Sequence, residues 1–368
     1  MTSRIRHFYP SLKGVAVLAA LIVVIAFLVT LTGSRSYERI ATTLFISIIV
    51  AVGLQIFMGN SGVMNFGFIA FMAIGAYAAA ILTTPAVTKM AAIPDAPLGL
   101  DEVELSFWAG AAMALLVTTV FGIVTGLILA RAGGIPAAIA ALAMLVIVHV
   151  VLLNWVSLTG GARAWVGVPI RTNMTYAVIG AIAAILVARV FRDSRLGLRL
   201  RASREDPIAA AGTGVSIASV RLVAWILSAF IIGAGGVLMA HYLGSFNTDT
   251  FYLSRTFLIL AMLLLGGQGN VSGPVVGALL VTVGWEVMRS LESGPTVVGL
   301  ELPELFGLPQ LFLGALIIIT MKFRPEGLLG NLELDEHLRQ WFRRLRPARS
   351  DQLGASAADA DDSSQAHV

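Results

Sequence analysis

The sequence predicts an all-α integral membrane protein with about ten transmembrane helices, some of them broken or re-entrant, and a weak internal repeat. Three observations carry that expectation. First, 57% of the 368 residues are hydrophobic and only 12% charged, about half the share of charge in an ordinary soluble domain. Second, ten apolar runs reach or approach the roughly 20 residues needed to cross about 30 Å of hydrocarbon. Third, Lys and Arg concentrate in alternate connections between those runs. The composition excludes a water-soluble enzyme and a disordered chain. With no cysteine, the chain has no disulfide, zinc-thiolate site, iron–sulfur cluster or cysteine nucleophile.

The runs fall at about 14–32, 40–58, 66–84, 106–130, 135–153, 175–191, 221–241, 255–266, 273–290 and 305–321. The first follows Arg4, Arg6 and Lys13; it is too long for a signal-peptide core and is expected to stay as an anchor. With both termini cytoplasmic, inside segments hold eighteen Lys and Arg and outside segments seven, the bias that orients membrane proteins. The acidic connection with Asp95, Asp101, Glu102 and Glu104 then lies outside as solvated charge. The expected location is the cytoplasmic (inner) membrane, with both termini inside. Residues 1–330 form the membrane domain and 331–368 a cytoplasmic appendage. In the appendage Leu334, Leu338, Trp341, Phe342 and Leu345 share a helical face, with Glu333, Asp335 and Glu336 at its start and Arg343, Arg344 and Arg346 near its end. It reads either as a helix on anionic lipid or as a solvated amphipathic stub. Disorder is expected from Ser350 onward.

Two hydrophobic segments are interrupted alike. One contains Gly59, Asn60, Ser61, Gly62, Asn65 and Gly67; the other contains Gly269, Asn270, Ser272, Gly273 and Pro274. Each has Gly-Asn followed by Ser-Gly, directly or one residue on, before a Gly-rich helix. Paired interruptions in two halves of a membrane protein point to a translocation path, because irregular backbone survives in lipid only when buried in protein or lining water. The competing reading is a pair of tight cytoplasmic turns. The short run 255–266 favours a broken or re-entrant element. The pairs Gly122/Gly126 and Gly273/Gly277 suit close helix packing.

Ionisable groups inside the runs are scarce. Glu286 is three residues before Arg289, the spacing of a helical ion pair, and His149 and His241 fall near outer helix ends as hydrogen-bonded interfacial residues. That leaves little material for an ion-coupled carrier. Lys13, Lys89 and Lys322 are the lysines, and none completes a phosphate loop, so ATP chemistry must come from another chain. The five His at 7, 149, 241, 337 and 367 are scattered, so neither a metal site nor a cofactor is expected, nor any catalytic residue.

The longest polar connection, 192–219, contains Arg201, Arg204, Glu205, Asp206, Pro207, Ala209, Ala210, Ala211, Gly212 and Gly214. Asp206 suits an N-cap and Pro207 a first helical position, with Gly212 or Gly214 ending the helix. Such a helix either docks in a partner's groove or is a solvated linker.

Taken together, Gly62 to Tyr77 (GVMNFGFIAFMAIGAY), Arg199 to Val215, Ala240-His241-Tyr242, Leu265 to Leu280 (LGGQGNVSGPVVGALL) and Phe323 to Leu328 resemble the permease subunits of branched-chain amino-acid ABC importers, of the LivM-like kind. The resemblance covers most of 40–330. It implies an ATPase-coupling motif on Ala209, Ala210 and Gly214, with Arg201, Glu205 and Asp206 facing the ATPase. The partners it implies are a second homologous permease, two cytoplasmic ATPase subunits, an extracytoplasmic solute-binding protein and lipid, with no nucleic acid. The chain departs from the family pattern at Pro207 and Ala211, where acidic residues are common, at Gly212, where Ala is usual, and at Met64-Asn65-Phe66, where Ser-Leu-Gly is usual. The implied function is import of branched-chain or related amino acids by alternating access. A urea or short-amide permease and an ion-coupled secondary transporter are the alternatives.

Overall fold

The computed structural model describes residues 2–93, 96–293, 296–297, 300–301, 306–324, 326–330 and 333–334. Each of the ten apolar runs forms a helix. In chain order the helices are α1 (Thr2–Thr32), α2 (Arg35–Ser61), α3 (Ile69–Thr83), α4 (Ala86–Ala92), α5 (Phe107–Leu129), α6 (Gly134–Asn154), α7 (Val156–Thr159), α8 (Met174–Asp193), α9 (Arg195–Glu205), α10 (Pro207–Gly212), α11 (Ile217–Leu243), α12 (Leu253–Gly266), α13 (Ser272–Glu292) and α14 (Leu308–Phe323). Among the described residues eight helical segments are long and apolar enough to cross a membrane; α3 and α14 are shorter apolar helices. A two-residue antiparallel pair, Thr296–Val297 with Leu300–Glu301, lies between α13 and α14.

The bundle is built around α2. From Leu44 to Ser61 every residue of this helix is buried, as expected for a helix apolar on all sides. It packs against α8, α11, α12 and α13. Small residues bring the other helices close. Gly75 of α3 faces the backbone of Gly233 in α11, and Gly236 faces the Met72 carbonyl. Gly122 and Gly126 let α5 approach Ala229 and Trp225 of α11. Gly273 and Gly277 bring α13 onto the Gly267 and Met262 carbonyls. The two expected small-residue pairs are therefore helix-packing positions. Outward-facing Ile128, Ile135, Ile139 and Ile147 give α5 and α6 an apolar exterior.

Four local expectations change. The run 66–84 becomes helical only at Ile69. The run 255–266 gains a turn of 3₁₀ helix at Thr248–Phe251, started by Asn247, and together they reach 19 residues, the length of a span. Lys89, in an outside connection of the expected topology, is fully buried. Its ammonium donates to the carbonyls of Ile81 (3.1 Å), Leu100 (2.8 Å) and Val103, and burial lowers its pKa against the opposing pull of Glu104 and Asp101. Glu333, expected to begin a surface helix, is also buried. Of the appendage, Glu333 and Leu334 are described; the rest of the amphipathic face and the tail lie outside the described residues.

Candidate functional site at two helix breaks

The first break runs from the end of α2 to the start of α3. Gly62 takes φ 69° and closes α2 through its N–H to the Met58 carbonyl at 3.0 Å. Asn60 Nδ2 donates to the Ile56 carbonyl at 3.0 Å. The Ser61 hydroxyl accepts from Val63 N at 3.1 Å and Asn65 Oδ1 from Gly67 N at 3.0 Å. These are the side-chain-to-backbone bonds that let a chain leave helical geometry. The segment then alternates: Val63, Asn65 and Gly67 are buried, whereas Met64 and Phe66 face a cavity of about 400 Å³ shared with Ile135, Ala138 and Leu142 of α6. Gly67 abuts the Ala141 carbonyl, where a side chain would not fit. Ala141 is seven residues into α6, about 10 Å at 1.5 Å per residue. Irregular backbone thus enters the bundle and is shielded there by protein.

The second break joins α12 to α13. Gly267 takes φ 112°, Asn270 Oδ1 accepts from Gly273 N at 2.5 Å, and Asn270 Nδ2 donates to the Gly330 carbonyl at 2.7 Å. Pro274 is buried in the first turn of α13. The breaks touch: a side chain on Gly59 would strike the Gln268 carbonyl. Gln55 lies beside that contact; among the described residues neither atom of its buried amide, nor the buried Nδ2 of Asn65, has a hydrogen-bond partner.

Both breaks are held by arginines that begin or lie within the polar connection. Arg204 of α9 donates to the Gly59 carbonyl at 2.7 Å, and Arg192 of α8 to the Gly269 carbonyl at 3.2 Å. Gly59 and Gly269 occupy the same place in the internal repeat. Arg192 also pairs with Glu333, as does Arg189 at 2.5 Å. The same oxygen, Oε1, accepts from Val271 N (3.1 Å), and Oε2 accepts from Ser272 N (3.2 Å) and Ser272 Oγ (2.7 Å), so an anion sits at the N-terminus of α13, where orphan amides favour it. Burial pushes the Glu333 pKa up, but the two arginines, the Ser272 hydroxyl and the Val271 amide outweigh it and hold it below its ordinary value. Gly14 of α1 makes room for the Arg189 guanidinium.

The connection itself forms two helices. Asp206 caps α10 as expected, accepting from Ile208 N at 2.9 Å and Ala209 N at 3.0 Å. Gly214 takes φ 81° just beyond the helix. Glu205, Asp206, Ala209 and Gly214 are exposed and Ala210 is buried. Arg201 folds back to the Arg192 carbonyl at 3.4 Å and is partly buried. Ile208, beside the acidic pair, is 86% exposed. The two breaks meet at Gly59 and Gln268; of the loop residues, Glu205, Asp206, Ala209 and Gly214 are exposed, while Ala210 and Arg201 turn inward. Arg189, Arg192, Arg204, Glu333 and Ile208 join the site only in the folded chain. Their only sequence signal was charge, or one apolar residue in a polar loop. Glu286 and Arg289 form the expected surface pair at 3.8 Å. His241 is buried between the Thr83 hydroxyl (3.0 Å) and the Val237 carbonyl (2.9 Å).

A bundle of apolar helices with paired, protein-shielded breaks belongs to the class of multi-pass membrane transport components. The chain belongs to the family described as branched-chain amino acid transport system / permease component, whose model matches residues 36–321. It is 27% identical to the LivM permease protein of the high-affinity branched-chain amino acid transport system of Salmonella typhimurium, over 80% of this chain and 70% of that protein. It is 23% identical to the LivH permease protein of the same organism, over 78% of this chain and 92% of that one. A nucleoside ABC transporter permease protein, NupC of Lactococcus lactis, is 30% identical over 37% of this chain and 40% of its own length. No solved structure matches the chain.

Proposed function

We propose that this chain is the permease subunit of an ATP-driven importer that carries branched-chain or related amino acids inward by alternating access. It pairs with a second, homologous permease, with two cytoplasmic ATPase subunits docked on α9 and α10, and with an extracytoplasmic binding protein. Both termini and the α9–α10 connection are cytoplasmic. The observation that carries this reading is the double tether: Arg192, just before α9, and Arg204, near its end, hold the carbonyls of Gly269 and Gly59, the glycines of the matching Gly-Asn pairs in the two breaks.

A displacement of α9 and α10 by ATPase closure then reaches both breaks at once. The Gln55 amide and the Asn65 Nδ2, without partners among the described residues, are the polar groups that a moving break can present to a passing solute. Binding energy shifts such an equilibrium only through differential affinity for its two states, so the permease needs little affinity of its own. That agrees with the few charges in its spans.

The test is ATP-dependent leucine uptake in liposomes holding the permease, its ATPases and the binding protein. Glu205→Ala and Gly214→Val are expected to lower uptake and ATPase co-purification together; normal uptake in both removes the coupling assignment. Bulky replacements at Asn65 and Asn270 that leave uptake unchanged at equal expression make the breaks plain turns. The NupC match favours one second reading, a nucleoside as solute, which competition of uptake by adenosine against leucine decides.

A further inference from the structure

At the membrane end opposite α9 and α10, a cavity of about 350 Å³ opens between α2, α11, α12 and α13. Its walls carry Arg39, Arg255 and Arg289 against a single carboxylate, Glu286. Glu286 is engaged by Arg289 at 3.8 Å. Arg255 stands in the first turn of α12. Among the described residues its guanidinium finds one acceptor, the Met239 sulfur at 3.7 Å, and its Nε is buried without a partner. A guanidinium has five N–H donors, and an unpaired charge inside a membrane protein is strongly disfavoured unless a counter-ion or polar group meets it. The cavity supplies the space for one.

We propose that this cavity binds the phosphate of an anionic phospholipid. A phosphate offers the oxyanion that a guanidinium fork engages in pairs, and Arg255 is the guanidinium left short of acceptors among the described residues. Tyr242 and Trp285 line the same cavity, and such side chains mark the headgroup level of a bilayer. From there Leu258, Met262 and Val281 continue the wall as an apolar surface suited to an acyl chain. Tyr242 donates from its hydroxyl to the Arg39 carbonyl at 3.1 Å, so the arginine at the mouth is fixed to α11. The lipid joins α2, α12 and α13 on the side opposite the two breaks.

The test is thermal unfolding of the full chain in neutral detergent, with phosphatidylglycerol or phosphatidylcholine added in equal amounts. Phosphatidylglycerol should raise Tm above the phosphatidylcholine value by about 3 °C or more, and Arg255→Gln should abolish that difference. Without lipid, Arg255→Gln should unfold at the wild-type temperature or above it, because it deletes an unpaired charge. Arg39→Gln, at an exposed position, should at least halve the lipid difference. Equal effects of the two lipids on the wild type, or a phosphatidylglycerol effect that survives Arg255→Gln, overturns the proposal. Stabilisation of lipid-free protein by leucine or inorganic phosphate that equals the phosphatidylglycerol effect also overturns it, since the oxyanion then comes from solution.

Discussion

Arg204 donates from Nη1 to the carbonyl oxygen of Gly59 at 2.7 Å, across 145 positions of sequence. That carbonyl lies in the last turn of α2, where four backbone acceptors have no partner within the helix. A charge-assisted bond of this kind contributes about 1.5–3 kcal/mol. It also makes the position of α9 and the geometry of the first break one variable. Arg204→Ala is expected to leave folding and ATPase association intact while ATP hydrolysis uncouples from uptake. Transport per ATP should fall about tenfold or more, and Arg204→Lys should recover part of it. Unchanged stoichiometry in liposomes would show that the tether is structural only.

Glu333 makes stability depend on pH with a defined sign. Its folded pKa lies below its ordinary value of 4.5, so its contribution is fully present above that value and is lost as pH falls through the folded pKa. Glu333→Gln should lower Tm at neutral pH, because removing one partner of a buried pair costs about 3–5 kcal/mol. The gap to wild type should narrow steadily below about pH 4.5. A gap of constant size from pH 7 down to the acid limit would contradict the ion pairing.

Ile208 is an apolar side chain presented to solvent between Asp206 and Ala209. Burying a side chain of this size against a partner contributes about 1.5–3 kcal/mol. Ile208→Asp should therefore weaken ATPase co-purification about tenfold or more while Tm of the isolated permease stays within a degree of wild type. Retention of the ATPase at wild-type levels would place the docking surface elsewhere.

Two glycines should respond oppositely to the same change. At Gly236 a methyl group would meet the Met72 carbonyl and Ala76 N, so Gly236→Ala forces α3 from α11 and should cost about 1–3 kcal/mol. At Gly212 nothing lies within reach of a methyl group. There alanine's helix preference, up to about 1 kcal/mol, should leave α10 as stable or more so. Fluorescence-detected melting of both variants checks the contrast, which fails if Gly236→Ala melts at the wild-type temperature.

Much of this architecture was legible in the sequence because its signals are local. Ten apolar runs marked ten helices. Asp206 and Pro207 marked the start of α10, and the repeated Gly-Asn and Ser-Gly pairs marked both breaks. The boundaries that moved did so for tertiary reasons. Phe66 and Gly67 are apolar enough to extend α3, yet the backbone there packs against α6 and Asn65 bonds the Gly67 amide. The 3₁₀ turn before α12 was missed because Thr248 and Asp249 are polar, while the Asn247 capping geometry that begins it is formed with Thr250.

Composition and hydrophobic period alone determined that the chain is a multi-pass helical protein interrupted at two matching places, because lipid solvation acts on every residue through its own side chain. The tertiary structure decided which polar groups work together. Lys89, Arg192, Arg204 and Glu333 look in sequence like ordinary surface charges; the fold buries Lys89 and Glu333 and turns both arginines inward. Glu333 meets Arg192 across 141 positions. A buried charge is tolerated only where partners from other segments surround it, and chain closure, not local pattern, brings those partners into place.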